Sequence, residues 1–191
     1  MEIILASRSP RRLQLLQGAG LAVEVRPSHV DESALPGETV DALVHRLARS
    51  KALTCTETSV PVIAADTLVA LDGEALGQPV DLAAAKIMLQ RLSGRQHVVV
   101  SGVCVRLGEK IEQTIVRTEV RFRPLDEREI DIYLLHNEVL DKAGAYAVQG
   151  GAAGFIEGID GPLDNVIGLP VRATLNLLQH VMPSHASGAA A

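Results

Sequence analysis

Two long strand-like runs, His97 to Leu107 and Ile111 to Phe122, separated only by Gly108-Glu109-Lys110, constrain the fold of this chain more than any other feature. Both are rich in valine and other β-branched residues, and so short a glycine-containing link turns the chain back alongside itself, so the two strands are antiparallel. Elsewhere strand-like runs alternate with helical ones. Ile3 to Ala6 leads into a helix from Pro10, a strand follows at Val23 to Arg26, Val40 to about Glu57 is helical and Val60 to Ala65 extended. That alternation belongs to the α/β class. Together the two signals predict a mixed, partly antiparallel central sheet flanked by helices.

Smaller signals complete the outline. Asp72-Gly73 turns a hairpin between Leu68–Leu71 and Glu74–Leu76, Asp81 caps a helix that runs to Leu92 and closes at Ser93-Gly94, and a further helix spans Asp126 to Leu135. The Gly-rich stretch Ala143 to Ile159 reads as extended, and a last helix follows Pro170. With no repeat and no long linker, residues 1–183 read as one domain, and two lobes around a cleft remain compatible with its length. The small-residue segment 184–191 is expected to be disordered.

Composition removes several functions. A net charge of −5 and the absence of Trp argue against a nucleic-acid binder, which needs a basic face and rings for stacking. The longest apolar runs fall far short of a bilayer span, and Met1 to Ala6 lacks the basic region of a signal peptide, so no membrane partner and a cytoplasmic location are expected. Cys55 and Cys104 have no metal-ligand spacing and read as small core residues. The six histidines are scattered and suggest no Ser-His or Cys-His constellation.

Chemistry concentrates in two places. The first is Ser7-Arg8-Ser9-Pro10-Arg11-Arg12, directly after the first strand. Ser9 suits the N-cap and Pro10 the first helical position. Arg11 and Arg12, however, stand at the positive end of the helix dipole, where cations are disfavoured by roughly 0.3–1 kcal/mol. A bound anion removes the conflict, and free N–H groups, the Ser7 hydroxyl and two guanidinium forks suit a di- or triphosphate. The alternative is that both arginines face solvent. Neither a GxxxxGK[ST] loop nor a GxGxxG turn is present, so this is neither a P-loop nor a Rossmann site.

The second place is Asp66-Thr67, at the end of the buried run Val60 to Ala65. A carboxylate at the C-terminal edge of a strand can hold Mg²⁺ against phosphate oxygens or take a proton from water, although a turn cap explains it too. Asp31-Glu32 supplies a second acidic pair. Lys51 falls at a helical spacing from Leu43, Val44, Leu47 and Ala48 that is otherwise apolar, which fits a phosphate partner or a snorkelling side chain. In Asp141 to Gly150, small residues allow a ligand close approach, and Gln149 offers the donor and acceptor that the imide edge of thymine or uracil demands.

These blocks resemble the Maf family of nucleoside triphosphate pyrophosphatases: SRSPRR at Ser7 to Arg12, VDE at Val30 to Glu32, AADT at Ala64 to Thr67, DKAGAY at Asp141 to Tyr146 with Gln149-Gly150, and NVIGLP at Asn165 to Pro170. The resemblance spans nearly the whole chain. It implies a mixed-sheet α/β fold with two lobes around a deep cleft, a divalent cation (Mg²⁺ or Mn²⁺), pyrophosphate release from a nucleoside triphosphate, and in many members a homodimer.

By resemblance, Asp66 is the general base, and Arg12, Thr67 and Gln149 mark the branch that prefers dTTP and UTP. Ser7, Arg11, Glu32, Lys51 and Lys142 match the family's other polar cleft residues, with Glu32 and Asp66 expected to hold the metal and Lys51 to aid catalysis. Gln78 departs from the pattern, standing where the family normally carries lysine, and Arg8 stands where a small residue is more usual. A neutral amide donates a hydrogen bond but offsets no phosphate charge, so reduced turnover is expected. The leading expectation is therefore hydrolysis of dTTP, UTP or modified pyrimidine nucleotides to the monophosphate and pyrophosphate. The rivals are a catalytically weak regulatory nucleotide binder linked to cell division, and a nucleic-acid-interacting protein.

Overall fold

The computed structural model describes residues 1–57 and 59–182. The expectation of a disordered segment at 184–191 lies outside the described residues. The strands are β1 (Glu2–Leu5), β2 (Ala22–Val25), β3 (Val62–Leu71), β4 (Glu74–Leu76), β5 (Gln96–Leu107), β6 (Lys110–Phe122) and β7 (Ile156–Asp160). The helices are α1 (Pro10–Gly18), α2 (Val40–Leu53), α3 (Leu82–Leu92), α4 (Glu127–His136), α5 (Leu163–Ile167) and α6 (Val171–Val181).

Among the described residues the strands form one seven-stranded sheet in the order β2-β1-β3-β5-β6-β7, with β4 on β3. β1 pairs in parallel with β2 and β3, while β3–β5, β5–β6 and β6–β7 are antiparallel, so the mixed sheet predicted from the two sequence signals is what forms. Strand pairing is continuous across the molecule and draws no line between two lobes.

Both faces of the sheet are covered, and the period-2 alternation of strand side chains assigns residues to each. Ile3, Leu5, Ile63, Ala65, Val103 and Val105 pack with Leu16 of α1 and Leu177, Leu178 and Val181 of α6. The intervening Ile4, Val62, Ala64 and Cys104 pack with Ala48 and Ala52 of α2. A third cluster joins Val69, Val99, Val120 and Phe122 to α3 and α4. Cys55 and Cys104 are buried and free, as a core reading requires.

Two segments differ from expectation. Val60–Ala65 and Leu68–Leu71 were read as separate strands, but β3 runs through Asp66 and Thr67 without a break, because β5 pairs with it from Val62 to Ala70. Asp66 is therefore mid-strand, not at a strand end. Its exposure to a cavity has another cause: β1 is matched only as far as Ile63, and β4 begins at Val69, so between them β3 has no strand partner on that side. Second, Ala143–Ile159 is not extended. It winds through three single 3₁₀ turns, at Ala143–Ala145, Val148–Gly150 and Ala152–Phe155, before β7. The glycines that suggested an extended chain supply positive φ instead, Gly144 at +68° and Gly151 at +91°.

Candidate active site

The unpartnered stretch of β3 opens onto a cavity of about 550 Å³. Every site residue expected from the sequence lines it: Ser7, Arg11, Arg12, Glu32, Lys51, Asp66, Thr67, Gln78, Lys142 and Gln149. Adjacent residues of a strand point to opposite faces, so Asp66 meets α2 while Thr67 meets the side of α1 and α5.

On the α2 side, the buried Lys51 ammonium lies 2.5 Å from Asp66 Oδ1 and 2.7 Å from Glu32 Oε1. Lys51 is thus no snorkelling side chain; it is one cation shared by two carboxylates. The approach depends on Gly102 of β5, which is matched to Asp66 across the sheet. A Cβ there would fall 2.2 Å from the Val44 carbonyl oxygen, so only glycine lets the α2 backbone lie against the strand.

On the α1 side, Ser9 caps the helix by accepting from Arg12 N at 3.4 Å, and Pro10 begins it. Ser7 Oγ accepts from Ser9 N at 3.2 Å and from Arg12 Nη1 at 3.1 Å. The dipole conflict at Arg12 is answered within the protein: Nε donates to the Gly168 carbonyl at 2.8 Å, and Gly168 is the C-cap of α5, the negative end of that helix. Burial lowers the pKa of this guanidinium, the Asp66 carboxylate opposes the shift and Arg11 adds to it.

Thr67 completes the arrangement. Its hydroxyl accepts from Arg12 Nη2 at 3.2 Å, donates to the Gly168 carbonyl at 3.1 Å, and meets the buried Ser101 Oγ at 2.8 Å. A hydroxyl has one proton and two lone pairs. With the proton on Gly168, Ser101 must be the donor, and Thr67 has nothing left to offer a ligand. Sequence reasoning missed Ser101, yet a serine inside the apolar run Val98 to Val105 was the available signal.

The remaining wall comes from the turns after α4. Asp141 lies 3.9 Å from Arg11 Nη1 and bonds Lys142 Nζ, while its backbone carbonyl accepts from Gln78 Nε2 at 3.2 Å. Gly144 N donates to Gly77 O at 3.0 Å, and a Cβ on Gly144 would stand 2.9 Å from Val69 Cγ2, so glycine is required both for its φ and for the close approach. Gln149 is exposed at the rim. Tyr146 lines the cavity with its hydroxyl turned away, 2.9 Å from Nε2 of the buried His97.

No three of His, Cys, Asp and Glu gather as metal ligands among the described residues. The donor set nevertheless suits Mg²⁺ or Mn²⁺ carried by a triphosphate, because such ions are commonly held by one or two carboxylates with phosphate oxygens and water completing the shell. Asp66 and Glu32 are the carboxylates in reach; Lys51 pairs with both but offsets only one of their two charges.

The family described as Maf-like protein matches residues 2–181 of this sequence. A dTTP/UTP pyrophosphatase of Anaeromyxobacter sp. (strain Fw109-5) is 48% identical, covering 97% of this chain and 94% of that protein. One of Acinetobacter baylyi is 44% identical, covering 93% and 98%. The solved Ham1 protein of Staphylococcus aureus aligns with 64% of this chain and 72% of its own at 16% identity and a TM-score of 0.46, a likeness too weak to inform the site.

Proposed function

The chain belongs to the family of Maf-like proteins, and from that premise we propose that it hydrolyses dTTP and UTP to the nucleoside monophosphate and pyrophosphate. The observation that carries this reading is the pairing of a buried carboxylate, Asp66, with a ring of basic side chains around one cavity. Polyphosphate hydrolysis needs positioning and charge stabilisation more than a covalent nucleophile, and this cavity provides both.

In this mechanism Asp66 receives the proton of a water that attacks the α-phosphorus. Its Oδ1 is held by Lys51, and Oδ2 has no hydrogen-bond partner among the described residues. The bond from the α-phosphorus to the bridging oxygen breaks, pyrophosphate departs, and Arg11, Arg12 and Lys51 balance its charge. Arg12 is held by Ser7, Thr67 and Gly168, so its guanidinium reaches the substrate preorganised. A divalent cation on Asp66 and Glu32 would supply further neutralisation of phosphate oxygens. Gln149 at the rim reads the pyrimidine imide edge, where an unpaired polar group costs about 1–3 kcal/mol, enough to discriminate bases. In this reading Lys142, paired with Asp141 in the cavity lining, contacts the substrate.

The test is pyrophosphate release from dTTP, UTP, CTP, GTP, 7-methyl-GTP and ATP with Mg²⁺ or Mn²⁺, comparing wild type with Asp66→Asn. Selective release from dTTP and UTP, lowered by roughly 10³-fold or more in the variant, is the expected outcome, in line with loss of a positioned general base and its charge. One feature favours a second reading: Gln78 contributes no charge to the cavity. Tight dTTP binding without release from any nucleotide would establish the regulatory binder instead.

A further inference from the structure

The basic side chains of the cavity are not equally available to a ligand. Arg11 and Lys142 both face Asp141, Lys51 is clamped between Asp66 and Glu32, and Arg12 is engaged by Ser7, Thr67 and Gly168. Arg8 lines the same cavity, is exposed, and makes no hydrogen bond or ion pair among the described residues. Each of the other four already holds at least one partner that an incoming polyanion must share or displace. Recruiting Arg8 displaces only water.

We infer that Arg8 is a pyrophosphate-binding residue of this site, contacting the terminal phosphates of the substrate and the departing pyrophosphate, an assignment that rests on the triphosphate reading above. Its position supports that end of the substrate. Arg8 lies in the loop between β1 and α1, beside the first turn of the helix, where Pro10 has no N–H, Arg12 N is capped by Ser9 and Leu13 N bonds the Ser9 carbonyl. Arg8, Arg11 and the first residues of α1 line the same cavity, so the positive end of the helix and two arginines border one space, an arrangement that favours the most highly charged part of a ligand. A planar fork also matches phosphate geometry in a way an ammonium does not. Gln78, which lines the same cavity, is neutral, so the arginines of this loop are left to meet the leaving group.

Direct binding of inorganic pyrophosphate and of dTMP, measured separately by calorimetry, tests the assignment without requiring turnover. Arg8→Ala is expected to weaken pyrophosphate binding by about tenfold, the scale of one charge-assisted contact, and to leave dTMP binding unchanged. Arg8→Lys should recover part of the loss. Lys110→Ala, which removes an exposed cation at the β5–β6 turn outside the cavity lining, controls for net charge and should match wild type. Equal weakening of both ligands, an equal effect of Lys110→Ala, unaltered pyrophosphate binding, or no pyrophosphate binding by wild type would each overturn the role of Arg8. Loss of nucleotide hydrolysis with pyrophosphate binding intact would instead count against the proposed function and leave the Arg8 assignment standing.

Discussion

At the scale of single residues, the Thr67 hydroxyl decides how the phosphate wall is built. Because its proton and both lone pairs are committed to Gly168, Arg12 and Ser101, its contribution to substrate recognition acts through Arg12. Thr67→Val and Ser101→Ala should then each lower kcat/KM for dTTP, the former by about tenfold or more, since buried partners left unpaired cost about 1–3 kcal/mol. The double variant should be little worse than Thr67→Val alone, as expected for residues in one network. Additive losses in a double-mutant cycle would mean that the two hydroxyls act independently. Gln78 is a different case: it is exposed and held by one bond to the Asp141 carbonyl, so it can be changed without disturbing the core. Gln78→Lys adds a cation to the cavity lining and is expected to raise kcat severalfold with dTTP; unchanged kinetics would remove this position from the mechanism.

At the scale of elements, the site exists because α2 lies against the sheet closely enough for Lys51 to reach Asp66. Gly102 sets that distance. Gly102→Ala forces its methyl group against the Val44 carbonyl, so helix or strand must move, and overpacking of this kind typically costs about 1–3 kcal/mol. Urea denaturation should show that loss, and hydrolysis should fall more steeply than stability because the Lys51–Asp66 geometry is displaced with the helix. A variant as stable and active as wild type would show that the contact is slack. Here the sequence was only partly readable. The N-caps Ser9 and Asp81 are local signals, and each caps the helix that follows it. The continuity of β3 through Asp66 was not readable, because it depends on pairing with β5, more than thirty residues away. Gly102 was equally silent: its spatial neighbour is Val44, and no local pattern ties the two. The side chains that line the cavity were legible from their types and order; the sharing of Lys51 by two carboxylates, and the engagement of Arg12 by α5, are tertiary facts.

At the scale of the whole molecule, the cavity is backed by a core that contains a buried histidine the proposed chemistry does not use. His97 stands on β5 among Phe122 and Tyr146, with rings in edge-to-face contact, its Nε2 on the Tyr146 hydroxyl and its Nδ1 buried without a partner. Burial pushes its pKa down to about 4, from an ordinary value of 6.5. The folded protein therefore takes up this proton less readily than the unfolded chain, so stability contributed by neutral His97 is full above pH 6.5 and is lost as pH falls towards 4. Those two values give a loss of about 2 kcal/mol between pH 8 and pH 5. The carboxylates of Glu38 and Glu129, held down to about 2 by hydrogen bonds from Arg46 and Arg123, contribute in the same direction but only below about pH 4.5, so the two windows separate. Urea denaturation at pH 8 and pH 5 should show the His97 loss in wild type. In His97→Gln, where an amide can still bond the Tyr146 hydroxyl but does not titrate, it should be largely gone. An undiminished stability difference in His97→Gln would show that His97 is not the source of the acid sensitivity in this interval.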